Sequence, residues 1–127
     1  MALRVPERRF GLPRRARLAR GGEFLRLKDT GHRATWGCMI ANWLPTAPDA
    51  ASRLGVITSR RLGGAVIRNR ARRLLKECFR LHQQELAKPI DLVLVARNSI
   101  VGRARDEVER DFLAGLARNR LLQEAAK

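Results

Sequence analysis

The sequence predicts an α+β fold, a mixed sheet with helices packed against it. Three observations predict it. Short apolar runs at 36–44, 54–58 and 91–96 have the length and content of strands. A stretch from 65 to about 87 carries its apolar residues at a 3.6-residue period. A second helical pattern follows the last strand, so the chain ends strand, helix, strand, helix, an order satisfied by helices covering a sheet.

Taken in order, residues 1–16 contain Arg8, Arg9, Arg14, Arg15 and two prolines without periodicity, and read as a flexible basic arm. Residues 17–127 read as a single domain, a size that allows one modest core. The segment 18–28 predicts a short helix with Leu18, Phe24 and Leu25 inward and Gly31 as its stop. Residues 36–44 read as a strand rich in large apolar side chains. A turn-rich loop at 45–51 follows, then a second strand at 54–58. The N-terminal strand run has room to subdivide, for a sheet of about four strands. The bend at Arg60–Gly64 leads into the central helix, which Pro89 ends. Residues 91–96, apolar nearly throughout, read as a strand buried on both faces. A last helix is predicted over 103–122, with Val108, Phe112 and Leu116 at i, i+4 and i+8 and acids near its start, where they suit the helix dipole.

The central helix carries the strongest functional signal. At 3.6 residues per turn, Arg68, Asn69, Arg72, Arg73, Lys76 and Arg80 share one side, and Ile67, Ala71, Leu74, Leu75 and Cys78 the other. A solvated helix face normally interleaves signs. Here Glu77 is the only acid between Arg53 and Arg80, a window with nine basic residues and a net charge of +8. Guanidinium forks match phosphate oxygens and stay charged, so a long polyanion is the natural partner. Of the 27 basic residues 23 are Arg, and the chain carries +15 overall. That charge is uneven: residues 1–33 carry +7 and residues 81–127 only +1, which places the expected surface on the N-terminal third and the central helix.

Other chemistries find little support. Cys38 and Cys78 lack metal-ligand spacing and read as buried free thiols. His32 and His82 are isolated, His82 lying beside the apolar face of the helix. No triad, carboxylate pair or phosphate-binding loop is visible. No apolar run approaches the roughly 20 residues that span a bilayer, and the basic start lacks the apolar core of a signal peptide.

The run from Arg60 to Arg73, Arg-Arg-Leu-Gly-Gly-Ala-Val-Ile-Arg-Asn-Arg-Ala-Arg-Arg, resembles the signature of the protein subunit of bacterial ribonuclease P. The likeness continues through Leu74 to Arg80, reappears at 91–97, and holds upstream at Arg17-Leu18, Glu23-Phe24 and Gly31. It spans about residues 17–116. The resemblance implies a small two-layer α/β sandwich with three helices and a left-handed βαβ crossover, a ribosomal protein S5 domain 2-like fold. It also implies a cytoplasmic holoenzyme in which an RNA subunit is the catalyst. This protein, monomeric and one per RNA, would bind that RNA and the 5′ leader of precursor tRNA. It would assist Mg²⁺-dependent removal of the leader, with Mg²⁺ held mainly by the RNA.

Carried onto this chain, the motif that contacts the catalytic RNA falls on Arg68, Asn69 and Arg70, with Arg60, Arg61, Arg72, Arg73 and Lys76 on its basic flanks. The leader site implied by the family, a cleft between the first helix and the sheet, falls on Arg17, Phe24, Lys28, Trp36 and Asn42. Lys28 and Asn42 stand where many relatives carry aromatic residues, so charge or the Trp36 ring takes their place in this reading. For Trp36 and Trp43 core packing is the favoured alternative. A structural RNA-binding protein without a role in cleavage is the runner-up. A DNA-binding helix lacks the preceding helix and short turn that helix-turn-helix requires, and a self-sufficient nuclease lacks clustered catalytic residues.

Overall fold

The computed structural model describes Leu27 and residues 29–123. Its sheet has four strands, β1 (His32–Trp36), β2 (Met39–Pro45), β3 (Arg53–Ile57) and β4 (Ile90–Ala96), in the order β1-β2-β4-β3. β1 and β2 form an antiparallel hairpin, β2 is antiparallel to β4, and β3 is parallel to β4. The central helix, Ala65–His82, makes the β3-to-β4 connection, and the last helix is Arg105–Arg118. This is the mixed, helix-covered sheet that the sequence predicts. Helical backbone at Leu27, Asp29 and Thr30 closes on Gly31, whose N–H donates to the Leu27 carbonyl at 2.9 Å. The arm at 1–16, the tail at 124–127, and Arg17, Leu18, Phe24, Leu25 and Lys28 lie outside the described residues.

The N-terminal strand run does subdivide: Trp36 ends an earlier strand, and the strand expected at 36–44 begins at Met39. The apolar run at 36–44 is broken by Gly37, whose φ of 60° is the value a two-residue hairpin turn of type II′ places at its first central position. Trp36 pairs with Met39 across the turn. The Cys38 N–H donates to Asp111 Oδ2 of the last helix at 2.9 Å, which fastens the turn to the helical layer.

Both helices also end sooner than their periodicity suggests. Ala87 N–H donates to the Leu121 carbonyl at 2.7 Å and Gln123 N–H to the Glu85 carbonyl at 2.7 Å. The two ends thus unwind to pair with each other, through a bridge between Leu86 and Leu122.

Strand parity sorts the sheet into two faces. Trp36, Met39, Ala41, Trp43, Leu54, Leu92 and Leu94 pack under Ala71, Leu75, Cys78 and Phe79 of the central helix and Val108, Phe112 and Leu116 of the last. The other face presents Asn42, Leu44, Val93 and Val95, with Leu27 packed on Val93. Leu27, absent from the expected inner side of the first helix, is only 1% exposed. Ile67, expected on the buried side of the central helix, is exposed. β4 is buried on both faces, and its Asp91 is held by Arg53 of β3 through Nε at 3.0 Å and Nη2 at 2.8 Å.

The cysteines are free and buried, and burial pushes both thiols up to about 12, so neither is a thiolate near neutral pH.

His82 is more than packing. It lies near Phe112, and its ring nitrogens face Glu85 at 2.7 Å and Glu109 of the last helix at 2.5 Å. Burial opposes its charged form, but the two carboxylates outweigh burial and raise its pKa above 6.5. A raised folded-state value contributes stability that is complete below the unfolded value, near 6.5, and is lost as pH rises through the folded value. The melting temperature of the native chain is therefore expected to fall as pH rises across that window. In His82→Gln this step should be absent; an unchanged pH profile would contradict the bridge.

Candidate nucleic-acid interface

The central helix starts in an unusual electrostatic setting. Its N-cap is Gly64, with no side-chain cap, and its first turn contains no acid. Both features leave the positive end of the helix open, where an anion is favoured. Arg60 and Arg61 sit immediately before it on an exposed 3-10 turn, and Arg68 and Arg70 follow within two turns. Arginines at this end raise the local positive potential rather than relieve it.

The expected RNA-contacting residues gather on and around this helix, but they do not form one uniform row. With about 100° between successive residues, Arg68 and Arg70 stand on opposite flanks, roughly 200° apart by way of Asn69. Arg68 and Arg72 share the flank toward β3. Arg72 donates to Thr58 Oγ1 at 2.7 Å and to Asn69 Oδ1 at 2.8 Å. Arg72 therefore orients Asn69, leaving the Asn69 NH₂ as the group aimed outward. Arg70 takes the other flank and donates to the Arg103 carbonyl at 2.8 Å. Arg73 is exposed on the outer face and Lys76 is half-buried beside it. Arg80, part of the expected stripe, is gripped by Glu77 through two bonds of 3.1 and 2.8 Å, which hold the Glu77 carboxyl below its usual range.

Arg68 is half-buried, and its Nε is cut off from water with no partner among the described residues. A buried donor of this kind is costly until something accepts from it.

Of the expected leader-site residues, Asn42 and Trp36 can be placed, and they separate. Asn42 lies on the sheet face away from the two helices, between Arg33 of β1 and Val93 of β4, and is 9% exposed. Trp36 lies on the opposite face and is 0% exposed. Its ring contacts Trp43 at 5.5 Å and Phe112 at 6.1 Å between centroids, and a Cβ at Gly115 would overlap the indole. Trp36 is thus a core residue, and the expectation that its ring could face a leader base is corrected: its strand points it into the helical layer.

Among the described residues no three of His, Cys, Asp and Glu come together as a metal site, and no helix is long and apolar enough to cross a membrane.

The chain is similar in sequence and fold to known proteins. Residues 12–120 match the family model described as Ribonuclease P. A ribonuclease P protein component from Desulfovibrio desulfuricans is 42% identical over 91 residues, covering 71% of this chain and 70% of that protein. One from Desulfatibacillum aliphaticivorans is 37% identical over 90 residues, covering 71% and 75%. Among solved structures, the RNase P protein from Thermotoga maritima aligns with a TM-score of 0.72 at 25% identity, over 80% of this chain and 96% of that one. The Staphylococcus aureus RNase P protein, at 21% identity, aligns with a TM-score of 0.76 over 85% and 98%, which bears on the fold. A family model spanning most of the sequence, together with these relatives, shows that this chain belongs to the ribonuclease P protein family.

Proposed function

We propose that this protein binds the RNA subunit of ribonuclease P through the start of its central helix and contacts the 5′ leader of precursor tRNA through the opposite face of its sheet. The observation that carries the reading is the open helix N-terminus framed by Arg60, Arg61, Arg68 and Arg70, with no acid in its first turn. Such a site suits a phosphate backbone: arginine forks and free N–H groups together outdo either alone. A phosphate oxygen approaching Arg68 side-on would give its orphaned Nε an acceptor. Arg72 keeps Asn69 turned outward, so the amide can hold a ribose or backbone oxygen while its neighbours neutralise charge.

The leader face is the less polar of the two. Asn42 supplies one amide among Leu44, Val93 and Val95, and an amide can read a base edge where apolar neighbours exclude water. Phe24, Arg17 and Lys28 are assigned to the same site by their positions in the family motif. Mg²⁺ belongs, in this proposal, to the RNA subunit, and the reaction is the RNA's. The protein's part is to position the leader and to offset phosphate repulsion as the RNAs come together.

The test is reconstitution with a bacterial ribonuclease P RNA. The protein alone is expected to leave precursor tRNA intact. Added to the RNA, it should lower the Mg²⁺ needed for cleavage at the mature 5′ end. Cleavage at that position without any RNA subunit would overturn the proposal. A protein that bound RNA but left the Mg²⁺ requirement unchanged would favour a purely structural RNA-binding role.

A further inference from the structure

We infer that the RNA-binding face extends beyond the central helix onto the start of the last helix, through a groove that takes one strand of sugar–phosphate backbone. The inference rests on the proposed function and adds Arg105, which the family motif does not cover. A shallow groove of about 410 Å³ runs between the two helices, lined by Arg70, Arg73, Leu74, Glu77 and Arg105. Three guanidinium groups from two helices thus face one channel floored by a single leucine.

The charges around the groove favour a polyanion over a small acidic ligand. Glu77, its one acid, gives both oxygens to Arg80 and also attracts Arg105, so a single carboxylate is set against the three groove arginines and Arg80 together. Arg73 and Arg105 form no ion pair among the described residues, and Arg70 spends its bond on a backbone carbonyl. That bond to Arg103 also ties the two walls of the channel together.

Arg105 is badly placed for its own helix. It occupies the first position after the N-cap Ala104, at the positive end of the dipole, where Asp106 and Glu107 are the favourable neighbours. The dipole therefore disfavours an arginine there, and Glu77, already bonded to Arg80, is a shared partner, so an external anion would favour it further. The charge balance along the sequence conceals this, because residues 81–127 are nearly neutral as a group. Folding sets Arg105 beside Arg70 and Arg73 of the central helix.

The test compares Arg105→Ala, Arg105→Lys and Arg68→Ala in binding to a bacterial ribonuclease P RNA over a range of salt. Arg105→Ala is expected to weaken binding about tenfold and to reduce the log–log salt slope by about 0.7–0.9, the loss of one phosphate contact. Its melting temperature should change little, since relief of the dipole offsets the lost attraction to Glu77. Arg105→Lys should keep most of the slope. If Arg105→Ala binds with native affinity and slope while Arg68→Ala is weakened, the groove is not a contact and the proposed function stands. If neither variant is affected, both fall together. A lowered melting temperature with an unchanged slope would make Arg105 a structural residue and overturn the inference.

Discussion

Trp36→Ala is expected to destabilise the protein by about 3–5 kcal/mol, the range for emptying a large aromatic from a core. Domains of this kind are stable by roughly 5–15 kcal/mol in total, so the variant would sit close to unfolding. Its melting temperature should fall by about 10 °C or more. The size follows from the packing. The indole has no exposed surface, touches Trp43 and Phe112, and lies against the bare backbone of Gly115. The helix side cannot refill the space, because Gly115 has no side chain to move and its helix is held at Asp111 by the Cys38 N–H. RNA and precursor tRNA binding should decline together, in proportion to the folded protein lost. A Trp36→Ala protein that melted like the native chain and lost affinity only for leader-bearing tRNA would return this residue to the leader site.

The fate of Trp36 shows where the sequence was legible and where it was not. The central helix could be read because 3.6-residue periodicity sorts Ala71, Leu75 and Cys78 from Asn69 and Arg73 whatever surrounds them. β4 could be read because a strand buried on both faces needs no partner to declare itself. The hairpin could not, since Gly37 stands inside an apolar run and only its positive φ reveals the turn. An uninterrupted strand would put Trp36 and Asn42, six residues apart, on one face. The two-residue turn pairs Trp36 with Met39 and reverses that parity, sending Trp36 to the core and Asn42 to the opposite face. The Arg72–Asn69 bond is an i,i+3 pair within one helix, but the place of Arg105 in the groove and the Arg72–Thr58 bond left no local pattern. They arise from proximity across elements, which charge counting along the chain averages away.

The second large effect concerns the helix start. Arg60, Arg61 and Arg68 replaced together by Ala should weaken binding to the catalytic RNA by about 10³-fold, taking roughly 1.5 kcal/mol for each charge-assisted bond. Three lost phosphate contacts should also lower the log–log salt slope by about 2–3. Folding should be little affected. Arg60 and Arg61 are exposed, Arg68 is half-buried with an orphaned Nε, and alanine is a better helix former than arginine. These three residues lie outside the groove of Arg70, Arg73 and Arg105, so their effect does not depend on it.

Two separate surfaces are proposed to do two separate jobs, and one paired measurement distinguishes them. Affinity for the catalytic RNA, and the holoenzyme's preference for precursor over mature tRNA, are measured for the native protein, for the triple arginine variant and for Asn42→Ala. The triple variant is expected to bind the catalytic RNA far more weakly, yet at protein concentrations that saturate the RNA to keep the preference for precursor. This two-surface arrangement also makes a separate expectation for the sheet face. It predicts that Asn42→Ala binds the catalytic RNA like the native chain and loses part of that preference. If both variants lose both properties to the same degree with their folding intact, the two faces are a single site and the account is contradicted.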